Sequence, residues 1–155
     1  MPRKGKRGRK HAGAPDWSRD DLRTLIDAPK DAHGGIATWS PSFLPNGELF
    51  FAELSFHAVC GGQGLLVRAK WKGDDDQQVL LQVPHASWNI VRLCVSRVHS
   101  AEPHWHFYEH VPGGFDEQED APDAPRGAGA MDELLAFFIK EQGVVNLTVE
   151  RKLFP

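Results

Sequence analysis

Residues 90–98, Ile90-Val91-Arg92-Leu93-Cys94-Val95-Ser96-Arg97-Val98, and residues 104–108, His104-Trp105-His106-Phe107-Tyr108, decide how this chain is read. In the first run Arg92, Cys94 and Ser96 alternate with Val91, Leu93, Val95 and Arg97, the period-two pattern of a strand. The second run alternates too, after a short turn at Ser100–Pro103. Working outward, Leu65–Trp71 sets Arg68 and Lys70 against Val67, Ala69 and Trp71. Leu49–Phe56 and Val79–Val83 add two further strands, with Gly61-Gly62-Gln63-Gly64 and Gly73–Asp76 as turns. Five strands joined by short turns predict an antiparallel meander.

Two helices flank the strands. Residues 16–28 offer Asp16 or Ser18 as N-cap, with Leu22, Leu25 and Ile26 on one face. Residues 131–142 carry Leu134, Leu135, Phe138 and Ile139 as an apolar stripe, with Gly143 as the stop. Residues 144–149 read as a sixth strand or an extended segment. The fold expected is α+β: an antiparallel sheet of five or six strands, with both helices packed on one face.

Charge divides the chain unevenly. Residues 1–10 hold Arg3, Lys4, Lys6, Arg7, Arg9 and Lys10 and no acid, while the other 145 residues hold 12 Lys/Arg against 21 Asp/Glu, a balance of −9. Residues 1–15 are expected to be a disordered basic tail before a single domain, 16–155. The six cations either contact phosphate non-specifically or fold against the acidic body. Residues 113–129, with five acids and two prolines, read as a mobile surface loop. No apolar run is long enough to span a membrane, and two isolated cysteines suit a reducing cytoplasm better than a disulfide framework.

The candidate site is the histidine cluster. Four of the eight histidines, His99, His104, His106 and His110, fall within twelve residues. If the strand continues, His104, His106, Tyr108 and His110 share one face, and Trp105, Phe107 and Glu109 the other. Three readings stand side by side. A His pair with Tyr108 and an arginine, Arg92 or Arg97, suits acid–base cleavage of a phosphodiester without a metal. His104 and His106, completed by His99 or His110, suit a metal ion. A His-rich strand face that does no chemistry is the third, and would leave a binding or interaction module. The run is also similar to the cupin HxH…E signature, but Glu109 arrives a residue early and on the opposite face.

Arg92-Leu93, His99, Pro103-His104-Trp105-His106-Phe107-Tyr108, the helix 131–142, Asn146-Leu147 and Leu153-Phe154 occur in an order that resembles small prokaryotic proteins akin to TumE-like toxins of toxin–antitoxin pairs. The resemblance covers roughly residues 49–155. In that group an acidic or His residue follows the Arg-Leu pair where this chain has Cys94. An Asn-Pro-Asp-Gly segment stands where this chain has Ser100-Ala101-Glu102. The resemblance implies a nucleic-acid-directed, toxin-like role with RNA as substrate and an antitoxin-like protein partner. In that picture His104, His106 and His99 are acid–base candidates, Tyr108 a hydrogen-bond donor and Arg92 a phosphate contact, with no cofactor.

Overall fold

The computed structural model describes residues 17–84, 88–96, 100–108 and 116–155. The chain runs through helix α1 (Arg19–Asp27), then β1 (Lys30–Ala37), β2 (Ser40–Phe43), β3 (Leu49–Cys60), β4 (Gln63–Trp71), β5 (Asp76–Val83), β6 (Trp88–Ser96), β7 (Ser100–Phe107) and β8 (Glu117–Asp120). Helix α2 (Met131–Glu141) and β9 (Val144–Val149) complete it.

These strands form one nine-stranded sheet in the order β8-β7-β6-β5-β4-β3-β1-β9, with β2 paired to β3 off that path. The expected five- or six-stranded antiparallel sheet is thereby overturned: the sheet has nine strands, and it is mixed, because β9 runs parallel to β1. The meander itself spans β3 to β8, each strand antiparallel to the next. The three unforeseen strands have weak sequence signals. β1 reads KDAHGGIA, with His33 and Gly34 at positive φ and a register shift between Asp31 and Gly35. β2 contains Pro41, which pairs with Ala52 at the β2–β3 ladder. β8, Glu-Gln-Glu-Asp, lies inside the acidic stretch, and its charges suit a sheet edge that must not pair further.

Turn chemistry explains the joints. Gly61 and Gly62 sit at φ 55° and 83° between paired Cys60 and Gln63, the two left-handed residues a tight two-residue hairpin needs. Ser18 caps α1 with a reciprocal bond to Asp21. Gly143, at φ 63°, ends α2, and a side chain there would press on Pro29.

The core joins one face of the sheet to both helices. Val67, Val79, Leu81, Val91 and Leu93 pack with Leu22 and Ile26 of α1 and with Leu134, Leu135 and Phe138 of α2. At its edge sits Lys30, with no exposed surface, whose Nζ donates to the carbonyls of Ile26 (2.9 Å), Ala28 (2.8 Å) and Gln142 (2.8 Å). These acceptors belong to the C-terminal ends of the two helices, where the backbone dipole favours a cation. No described helix is long and apolar enough to cross a membrane.

Burial pushes the Lys30 ammonium from 10.5 down to about 8, against the pull of Cys60 and Asp27. Between those values the unfolded chain binds the proton more tightly, so this group's contribution to stability rises with pH there; below about 8 both states are charged and the desolvation cost is present in full. Lys30→Met strands three carbonyls and is expected to cost about 3 kcal/mol or more. Urea unfolding at about pH 7.5 and about pH 9.5 is expected to show the wild type gaining stability relative to Lys30→Met as pH rises, and a relative loss would contradict the assignment.

Candidate functional site

On the sheet face opposite the helices the meander aligns its polar residues in two cross-strand rows. Glu53, Lys70, Gln78, Cys94, His104 and Asp120 are successive register partners, and Ser55, Arg68, Leu80, Arg92, His106 and Gln118 are the next row. The sequence expectation that Trp105 and Phe107 face the core is met: Trp105 packs 5.9 Å from Phe138 and 6.1 Å from Phe137. His104 and His106 therefore take the other face, two residues apart on β7, with Cys94 and Arg92 directly across on β6.

The two imidazoles meet. His104 Nε2 lies 3.0 Å from His106 Nε2, and the rings cross edge-to-face at 65°. Their outer nitrogens are anchored: His104 Nδ1 is 3.0 Å from the Glu102 carbonyl, and His106 Nδ1 is 3.1 Å from Asp116 Oδ1. A carbonyl and a carboxylate only accept, so each Nδ1 carries a hydrogen and donates it. That assignment leaves the two Nε2 lone pairs facing each other at hydrogen-bonding distance. A hydrogen shared between them would turn this repulsion into a bond.

The other expected site residues are placed as follows. Arg92 stands across from His106, on the dyad's face. Tyr108 does not: its φ of 62° ends the strand's alternation immediately after Phe107, and its ring is buried in the core cluster. There Tyr108 lies under the Arg19 guanidinium, 5.9 Å from ring centre. Its expected position beside the histidines is thus corrected. His99, His110, Arg97 and Glu109 lie outside the described residues, as do the six tail cations Arg3 to Lys10.

Two of the expected metal ligands, His104 and His106, do converge. Among the described residues, however, no three His, Cys, Asp or Glu side chains form a group that could hold a metal ion. Each of the two histidines is only 6 % exposed. The sequence reading missed Asp116, one of five acids in its stretch and not distinguished from the others by any local pattern.

No family model matches the chain, and no curated protein or solved structure matches it either.

A double-mutant cycle tests the proton bridge. His104→Gln and His106→Gln are expected to couple by about 1–3 kcal/mol in unfolding free energy, whereas additivity within about 0.5 kcal/mol would mean that the rings do not share a bond.

Proposed function

We propose that the His104–His106 dyad is an acid–base centre acting on RNA phosphodiesters, in a toxin-like or accessory protein that requires no metal. The observation that carries this reading is the 3.0 Å Nε2–Nε2 contact. A bridging proton makes one ring a donor while the other becomes an acceptor, the pair of roles that cleavage by internal transfer demands of its catalyst. Asp116 fixes the tautomer of His106, as a carboxylate behind a catalytic imidazole does. Arg92, one strand away, supplies the cation that a phosphorane-like transition state favours. With so little of each ring exposed, the substrate's reacting oxygens have to reach the Nε2 edge while the nucleotide lies outside. The basic tail supplies non-specific affinity for the RNA chain. Cys60 and Cys94, both buried, suit a cytoplasmic location.

A second reading draws on burial. A dyad anchored at both outer nitrogens and closed from solvent also serves as a structural lock in a binding module. The exposed Phe43, Leu44 and Phe50 near the β2–β3 turn would then contact a protein partner, of antitoxin type under the family resemblance.

Purified protein incubated with a transfer-RNA pool and a mixed-sequence single-stranded RNA, in the presence of a chelator, separates the two. Cleavage that falls about 10²-fold or more in His106→Gln and His104→Gln supports the acid–base reading. Cleavage that is absent in the wild type, or unchanged in the double variant, removes it.

A further inference from the structure

Beneath the end of α1 lies a cavity of about 170 Å³, lined by Asp27, Glu119 and Glu141, by the rings of Trp105 and Phe107, and by Gln142. It is on the helix side of the sheet, away from the histidine dyad. Arg23 and Ile26 complete its wall. Three carboxylates against one guanidinium leave the lining anionic. The Gln142 side-chain carbonyl, in a residue 4 % exposed, has no hydrogen-bond donor. Arg23 shows what the wall accommodates: its guanidinium lies 5.6 Å over the Phe107 ring while its Nε donates to Asp27 at 3.2 Å. A second cation with an aliphatic stem fits the same chemistry, its head among carboxylates and its stem on the rings.

We infer that this cavity receives a Lys or Arg side chain from the chain's own basic segment, residues 3–10, and so holds that segment against the body. Charge complementarity supports it, since the segment carries six cations and the remaining residues a balance of −9. Reach supports it as well. Lys10 precedes Trp17 by seven residues, which span up to about 25 Å when extended. α1, whose far end carries Asp27, is nine residues long, about 14 Å. A segment doubling back beside α1 therefore reaches the cavity with residues to spare. Docking there competes with any phosphate for the same cations, so the segment is released as anionic ligand or salt concentration rises. The inference stands on the cavity and the charges, and does not require the acid–base reading of the dyad.

The test uses the full chain with a nitroxide at position 5 (Gly5→Cys, with Cys60 and Cys94 replaced by alanine). Paramagnetic relaxation is read on the Trp105 indole and the Gln142 side-chain amide. The expected result is strong enhancement at both groups in low salt, falling at least tenfold in high salt and in Glu119→Gln/Glu141→Gln. No enhancement at Trp105 overturns the inference, as does enhancement that the double variant leaves unchanged. Enhancement seen only when labelled chains are mixed with unlabelled isotope-enriched ones also overturns it, assigning the occupant to a second copy. Loss of the Trp105 enhancement on adding transfer RNA would show competition for the segment and leave the docking itself established.

Discussion

One buried ammonium ties the elements of this fold together. Lys30 begins β1, yet its Nζ reaches carbonyls at the end of α1 and at the end of α2. A cation in that place satisfies acceptors that neither helix can satisfy internally, and it fixes both helix ends relative to the sheet. The Lys30 backbone N–H adds a bond to the Gly143 carbonyl, at 2.9 Å, where α2 turns into β9. From this junction β9 runs parallel to β1, which makes the sheet mixed. The apolar faces of α1 and α2 then cover one side of the meander, and the polar rows are left to the other.

That division of faces creates the histidine dyad. With Trp105 and Phe107 committed to the core, the alternation of β7 sends His104 and His106 to the opposite side, adjacent and on the same row spacing as Arg92 and Cys94. The backbone carbonyl of Glu102 and the carboxylate of Asp116 then hold the outer nitrogens, so the inner ones converge. The pair, only 6 % exposed, is held in place by these neighbours.

The sequence made some of this legible and hid the rest for physical reasons. Strand β4 announces itself because one face is buried and the other only partly, so Val67 and Ala69 alternate with Arg68 and Lys70; β6 alternates in polarity, with Val91 and Leu93 against Arg92, Cys94 and Ser96, although both of its faces are largely buried. Both helices were legible through caps and stripes, with α1 starting at Ser18 and α2 stopped at Gly143. β1 was not, because Lys30, Asp31, His33 and two glycines owe their extended form to β3 and β9 rather than to propensity. β8 hid behind its acids, which suit an edge as well as a loop. At the site, the pattern selected His104 and His106 and set Trp105 against them. It gave no register, so Arg92 opposite His106 was one option among several. It also carried the alternation past Phe107, because nothing local signals the left-handed backbone at Tyr108.

Nitrogen-15 NMR of the imidazole side chains reads a proton shared by the two rings directly. His104 and His106 are both expected to carry a hydrogen on Nδ1, with one further proton correlating with both Nε2 atoms. Rings protonated at Nε2 with bare Nδ1 atoms, or no proton common to the two rings, would contradict it.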